Sequence, residues 1–402
     1  MKTIAKCAEN LKQELIEWRR YFHQYPELSF EESNTSDYIV RVLKSFGITD
    51  IETNIAEHGI VATISNGPGR VIALRADMDA LPIQEKTNLK YASKNLNVMH
   101  ACGHDAHMSM LLGASKLLNE EMKDDNLKGT IKFIFQPAEE SANDEGLTGA
   151  PYFIKNGILD EVDAIISVHV CPWRKVGEIQ VNEGPSMANI DNFELTISGK
   201  GGHGGYPHQT VDPIWISSFV LQGIYSLISR KIDPLHVGTI SVGELKAEGS
   251  KNVIPEKVTI GGTIRSYKST IRSQLIKELE AVAKICEAFG GTFDLTIQRG
   301  EPALYNDAAI TRLMKKNAKR LYPDMKIIEE PFGMGGEDFG HMTAVVPGSM
   351  FFLGSAFEEK EFQLHTPQFQ LNEKALPIGV AVLTACACDL INTEVRREAD
   401  DN

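Results

Sequence analysis

Apolar residues recur at Leu11, Leu15, Trp18 and Phe22, the spacing of one helix face, and predict an amphipathic helix over residues 8–24 that stops at Pro26. Ile39, Leu43 and Phe46 repeat the pattern, with Gly47 where a helix-ending glycine belongs. Residues 60–65 and 71–75 are β-rich runs joined by Asn66-Gly67-Pro68-Gly69, a hairpin turn signal. The second run leads into Asp77-Met78-Asp79. Residues 108–118 read as a buried helix, and residues 130–135 as a strand ending in Gln136-Pro137-Ala138-Glu139-Glu140. Tyr152 to Asn156, with Gly157 behind, closes a short helix, and residues 164–170 form a further strand carrying His169. Strands alternating with helices predict an α/β layer with a mixed, mostly parallel sheet flanked by helices.

After about residue 186 the pattern changes. Residues 189–198 predict a strand, Asp212-Pro213 opens a helix, and residues 237–245 and 257–265 are two further strands. Leu275, Leu279, Val282 and Cys286 mark a second helix, and residues 292–298 a last strand. That order, β-α-β-β-α-β, is the signature of a ferredoxin-like α+β unit. It predicts an inserted domain over 187–299 between two parts of the first domain, 1–186 and 300–402. The first pattern then resumes with a helix over 307–322, a strand over 348–354, a loop holding His365-Thr366-Pro367 and a closing helix over 375–390.

Composition narrows the function classes. The chain has 402 residues, 42% of them hydrophobic and 24% charged, which suits two or three folded domains. A formal charge of −13 argues against a nucleic-acid surface. Six cysteines at irregular spacing are not a disulfide framework and favour a reducing compartment. The N-terminal stretch lacks an apolar signal core, and no run suggests the ~20 apolar residues of a membrane span. The expectation is a cytoplasmic protein that binds neither nucleic acid nor membrane.

The chemistry concentrates in Met99-His100-Ala101-Cys102-Gly103-His104-Asp105-Ala106-His107, with one thiol, three imidazoles and a carboxylate in nine residues before a buried helix. Burying such groups is costly unless a cation compensates them. A pair of metal ions needs about five side-chain donors, and the candidates are Cys102, His104, Glu140, His169 and His365. A thiolate among them favours zinc, cobalt or nickel over magnesium. Adjacent Glu139 and Glu140 leave a strand in different directions, so one can hold an ion while the other faces the attacking water. We assign Glu140 as ligand and Glu139 as general base. The competing reading is a solvated acidic turn continuing into Asp144 and Glu145. Cys386 and Cys388, two apart on a helix, do not face each other and read as packing residues. His23, His58, His107, His236 and His341 have no evident partners and read as structural or solvated.

Taken together, the Cys102–His104 motif, Gln136-Pro137-Ala138-Glu139-Glu140, Arg75-Ala76-Asp77-Met78-Asp79-Ala80-Leu81-Pro82, Gly335-Gly336-Glu337-Asp338-Phe339 and His365-Thr366-Pro367 resemble the amidohydrolase branch of the aminoacylase/carboxypeptidase metallopeptidases. That branch includes hippurate hydrolases, N-acyl-amino-acid amidohydrolases, N-acetyldiaminopimelate deacetylases and auxin-conjugate hydrolases. The resemblance runs from about Arg19 to His365. It implies two divalent ions, zinc first and cobalt, nickel or manganese as alternatives, held by Cys102, His104, Glu140, His169 and His365. Glu139 would be the base and Asp79 would orient a ligand; Asp77 stands where other branches place a ligating His. It further implies that the inserted domain is a lid that also makes a homodimer or dimer-based oligomer. Within it His203, in the loop Gly199-Lys200-Gly201-Gly202-His203-Gly204-Gly205, would reach the neighbouring subunit's site and stabilise an oxyanion. Asn252 and Arg265 would bind substrate, Arg265 through its free carboxylate, and Gly335 and Gly336 would add backbone N–H donors.

The expected reaction is hydrolysis of the amide bond of an N-acyl amino acid. The alternative on the same site is a dipeptidase or carboxypeptidase acting on short peptides. A non-catalytic ligand-binding protein is disfavoured because a pure binder needs no base beside its ligand. A Cys102 nucleophile is disfavoured because His104 is too near in the chain to act as a separate base.

Overall fold

The computed structural model describes residues 2–123 and 127–392. Two units emerge, one formed by Met1–Ser186, Tyr305–Phe332 and His341–Asn402, the other by Met187–Leu304 with Gly333–Gly340.

The first unit is built on an eight-stranded mixed sheet whose spatial order is Asp50–Ile55, Gly59–Asn66, Gly129–Gln136, Val71–Asp77, Ala164–Lys175, Gly348–Ala356, Glu178–Gln180 and Lys326–Ile328. Its centre is parallel: Val71–Asp77 pairs in parallel with Gly129–Gln136 and with Ala164–Lys175, which pairs in parallel with Gly348–Ala356. These central strands are apolar along nearly their whole length because helices cover them and no face is left to water. The hairpin expected at Asn66-Gly67-Pro68-Gly69 does not form. Gly59–Asn66 pairs antiparallel with Gly129–Gln136, which lies between the two strands that the turn connects. The approach there is close: a Cβ on Gly69 would lie 2.8 Å from the Gly129 Cα. A local turn signal is outvoted by an apolar strand arriving from about 60 residues away.

Helices follow from their stripes. The predicted N-terminal helix is split into Lys2–Asn10 and Lys12–Gln24, and the second buries Leu15, Trp18 and Phe22. Ser33–Ser45 ends before Gly47, whose φ of +82° makes the C-terminal turn. His104–Lys123 is buried on nearly every side. The closing helical stretch, Glu373–Asn392, which holds the helix Leu376–Asn392, is long and apolar enough to cross a membrane by length and composition, against the expectation of no such run. It nevertheless packs as a core helix, with 78% of its apolar window buried. Gly379 lets it approach its neighbour, since a Cβ there would come within 2.1 Å of the Met110 sulfur.

The second unit holds a four-stranded antiparallel sheet in the order Gly238–Ala247, Lys257–Ser266, Asn189–Ser198 and Thr292–Arg299. Alternation along Asn189–Ser198 points Phe193, Leu195 and Ile197 into a core shared with the helices Pro213–Lys231 and Ser269–Ala283. Asp212 caps the first of these helices by accepting from the Ile214 and Trp215 N–H groups. The exposed side of that helix carries Ile214, Trp215 and Tyr225, each at least half exposed.

Candidate metal centre

Four chain segments bring the five candidate donors together in the first unit, and a fifth segment supplies Asp79 beside them. Val71–Asp77 runs directly into Asp79, and Gly129–Gln136 into Glu139 and Glu140. Cys102 and His104 sit at the start of the long helix His104–Lys123. Gly103 between them has φ +96°, and a Cβ there would strike Val170 at 2.3 Å, so only glycine lets the two donors face one volume. His169 was expected near a strand end. The strand runs on to Lys175, so His169 is internal, opposite Phe352 in the neighbouring strand.

The five donors fall into two overlapping triads, Cys102–His104–His169 and Cys102–Glu140–His365, each with ligand atoms within 4.8 Å of one another. Cys102 Sγ lies 3.5 Å from His169 Nε2 and 3.4 Å from His365 Nε2. Glu140 Oε1 lies 3.4 Å from His365 Nε2 and 3.7 Å from His104 Nε2. Cys102 is common to both triads, so it would help hold an ion at either. His104, Glu139 and Glu140 form a third group on the same volume, with His104 Nε2 3.9 Å from Glu139 Oε2. His365, with φ +58°, is exposed while the other donors are largely buried, so it marks the open side.

Hydrogen bonds fix the imidazole tautomers. His104 donates Nδ1–H to the Asp79 carbonyl at 2.9 Å, and His169 donates Nδ1–H to the Val170 carbonyl at 2.8 Å. A carbonyl can only accept, so in both rings Nδ1 is committed as the donor and Nε2 is the nitrogen aimed into the centre, where a metal ion would take the place of any proton it carries. His104 Nε2 and Glu140 Oε1 are buried there with no hydrogen-bond partner among the described residues. Two orphaned buried atoms beside a thiol are what a cation would satisfy, so the donor set fits a metal pair. The electrostatics agree. Burial works to lower the His104 pKa, but Asp77, Asp79 and Glu140 outweigh it and raise it to about 10. Burial pushes the Cys102 thiol well up, reinforced by Glu140, Glu139 and Asp77. Burial and the neighbouring His107 keep His169 neutral, the form that ligates.

Several supports were invisible in the sequence. Asp77 is fully engaged: Oδ2 accepts from Arg75 at 2.8 Å and Oδ1 from His107 Nδ1 at 2.6 Å. Arg75 is itself buried and donates to Gln136 at 2.9 Å. The Val170 N–H donates to His107 Nε2 at 2.9 Å, so His107 braces the peptide that holds His169. His107 is thus not the partnerless residue the sequence suggested. Its place three residues after His104, on the same helix face, was the available signal. The same correction holds for His23, which donates to Asp105 Oδ2 at 2.7 Å beside Arg19 at 2.8 Å. Burial alone would raise the Asp105 carboxyl, but Arg19 and His23 hold it far below the usual range. Asp79 accepts from the Glu140 N–H at 2.9 Å and from Ser29 Oγ at 2.6 Å, tying the strand end to the glutamate turn.

In the second unit, His203 and Asn252 share a small ribbon. Gly202–His203 pairs with Val253–Ile254, and the Gly204 N–H donates to the Asn252 carbonyl at 2.8 Å. His203 is exposed, and its Nδ1 accepts from the Gly205 N–H at 2.9 Å. Arg265 and the glycine pair also meet: Arg265 donates to the Met334 carbonyl at 2.9 Å, while the Ala188 N–H donates to the Gly335 carbonyl at 3.0 Å. Gly336 packs so closely on Ile190 that a Cβ would fall 2.2 Å from it.

Relatives of known name share this chain along its length. An N-acetyl-L-cysteine deacetylase of Bacillus subtilis is 40% identical over 368 residues, covering 91% of this chain and 85% of the relative. Thermostable carboxypeptidase 1 of Saccharolobus solfataricus is 37% identical over 371 residues, covering 91% and 92%. The crystal structure of the Bacillus subtilis YXEP protein, described as a dinuclear metal-binding peptidase, superposes with a TM-score of 0.84 at 33% identity, covering 96% of this chain and 99% of that one. Residues 73–389, which hold every donor of both triads, match the profile of Peptidase family M20/M25/M40. Two overlapping triads that could hold metal ions thus lie at the end of the mostly parallel sheet of a hydrolase, and the chain belongs to Peptidase family M20/M25/M40.

Proposed function

We propose that the protein hydrolyses the amide bond of N-acyl amino acids, using two divalent ions held by Cys102, His104, Glu140, His169 and His365. The observation that carries the reading is that two buried atoms, His104 Nε2 and Glu140 Oε1, lie beside Cys102 with no hydrogen bond among the described residues. Zinc suits the mixed sulfur, nitrogen and oxygen donors best, with cobalt, nickel or manganese as substitutes. The ions, when bound, supply Lewis acidity toward the amide carbonyl and lower the pKa of the attacking water. Glu139 takes a proton from that water as its oxygen adds to the carbonyl carbon. It then hands the proton to the amine nitrogen as the C–N bond breaks, giving a carboxylic acid and an amino acid. Asp79 keeps the His104 and Glu140 segments together through its carbonyl and carboxylate.

By the family resemblance, His203 stabilises the developing oxyanion from a second copy of the chain, Asn252 and Arg265 bind the amino-acid half, and the backbone at Gly335 and Gly336 adds donors. The exposed Ile214, Trp215 and Tyr225 offer an apolar face for self-association. All six cysteines are free, which supports placement in the reducing cytoplasm. The likeness to a carboxypeptidase keeps short peptides as the second reading.

The test is a panel of N-acetyl amino acids, their carboxamides and dipeptides, offered to protein loaded in turn with zinc, cobalt, manganese and nickel. Turnover of the free acids, with at least a tenfold loss on the carboxamides, is expected. Turnover of the peptides alone would shift the assignment to a peptidase, and binding without any turnover would reject the reaction.

A further inference from the structure

The turn that carries Glu139 and Glu140 holds an unusual residue. Ala138 has φ +53°, a left-handed conformation that a residue with a Cβ adopts only when its surroundings impose it. Pro137 before it has no N–H to help. The turn is pinned by three hydrogen bonds from outside. The Gly149 N–H donates to the Ala138 carbonyl at 2.8 Å, the Glu140 N–H donates to Asp79 Oδ2 at 2.9 Å, and the Ala138 N–H donates to Glu32 Oε1 at 2.8 Å. Glu32 comes from a distant part of the chain, just before the helix Ser33–Ser45.

Its segment also grips the other side of the centre. The Ala80 N–H donates to the Glu27 carbonyl at 2.8 Å, Leu28 bridges Ala80, and Ser29 donates to Asp79 at 2.6 Å. One stretch of six residues thus ties together the loops leaving Val71–Asp77 and Gly129–Gln136. We propose that Glu32 is a positioning residue: by clamping the Ala138 N–H it sets the directions of the Glu139 and Glu140 carboxylates. The proposal rests on the reading of Glu139 as base and Glu140 as ligand.

The chemistry of Glu32 fits a clamp better than an ionic partner. Its side chain is buried, its Oε2 has no hydrogen-bond partner among the described residues, and no cation bonds to it there. Burial, with Asp79 nearby, pushes its carboxyl up to about 9, so it is neutral at pH 7. A neutral carboxyl needs only its carbonyl oxygen to hold an N–H. An amide has the same oxygen in the same place, whereas a hydrocarbon of similar length has none.

The experiment compares Glu32→Gln, Glu32→Met and Glu32→Met/Ala138→Gly in the full chain. Each is titrated with Co²⁺ and read by its visible absorption, alongside kcat and KM on the best substrate. Glu32→Gln should stay within about 3-fold of the parent in both. Glu32→Met should lose about 10–100-fold in kcat and in the affinity of the weaker Co²⁺ site, with KM little changed. Glycine in place of Ala138 takes the left-handed conformation at no cost, so the double variant should recover most of that loss. If Glu32→Met is insoluble, Glu32→Asp, one methylene short, carries the same expectation. Equal behaviour of the Met and Gln variants, or no recovery in the double variant, overturns the proposal. A parent protein that binds Co²⁺ without hydrolysing any substrate sinks the amidohydrolase reading, while the Co²⁺ spectra still decide the clamp.

Discussion

His104 and His203 show two ways in which this chain holds an imidazole. His104 is buried at the start of a long helix, with its Nδ1–H spent on the Asp79 carbonyl and its Nε2 facing Cys102, Glu139 and Glu140. His203 lies exposed in a two-residue strand, with Gly201 and Gly202 before it and Gly204 and Gly205 after, and takes only a local N–H from Gly205. The first arrangement gives up all freedom to aim one nitrogen, as a metal ligand requires. The second leaves the ring exposed beside Tyr206 and lets the backbone come close to another surface, as a donor that arrives with substrate would require. Arg265 is intermediate: one nitrogen anchors the Met334 carbonyl, and on the proposed reading its other donors meet the substrate carboxylate. On the proposed reading, the buried donors serve the ions and the exposed imidazole serves the transition state.

The largest expected effect tests the centre itself. Glu139→Gln should lower kcat by about 10²–10⁴ while the protein still binds two ions, read by metal analysis and steady-state kinetics. Retention of full turnover would remove the base from the mechanism. His203→Ala should cost about 10²–10³ in kcat with metal content unchanged. A parallel fall in metal affinity would break the contrast between the two histidines, since only a ligand or its support should affect the ions. For a buried support, His107→Ala should weaken metal binding about 10–100-fold, seen by chelator competition, because the Val170 peptide beside His169 loses its brace. Its effect on kcat at saturating metal should be smaller than that of His203→Ala.

The smallest effect concerns stability. Glu32 titrates in the folded protein at about 9, raised by burial and by Asp79, against about 4.5 in the unfolded chain. Below pH 4.5 both states hold the proton. Between 4.5 and 9 only the unfolded chain releases it, so this group costs progressively more stability as pH rises. Glu32→Gln removes that dependence. Its Tm advantage over the parent should grow from near zero at pH 4.5 to several degrees at pH 9, and a flat difference across that range would contradict the assigned burial.

Much of this was legible from residue pattern. The β-α-β-β-α-β order after residue 186 reappears as the four-stranded sheet with its two helices, because alternating and helical periodicities are local properties. The five candidate donors were named from residue type and strand-end placement. What the sequence hid was relational. Arg75 looked like one more residue of a strand, yet it is buried and neutralises Asp77, which explains why an aspartate is tolerated there. Glu32, just before the helix Ser33–Ser45, drew no reading from its pattern, and its partner is 106 residues away. Nothing in the local spacing of either residue points to such a bond.

The order of strands carries a final consequence for how the protein is made. Gly129–Gln136 is slotted between Gly59–Asn66 and Val71–Asp77, so Gly59–Asn66 can zip onto Asp50–Ile55 as it leaves the ribosome but Val71–Asp77 has no earlier strand to pair with. The centre of the sheet must wait until residue 136 has been synthesised, and contacts of that span close slowly. During the wait the apolar run of Val71–Asp77 is without its eventual partners, so the nascent chain is at its most aggregation-prone just before its glutamate turn emerges.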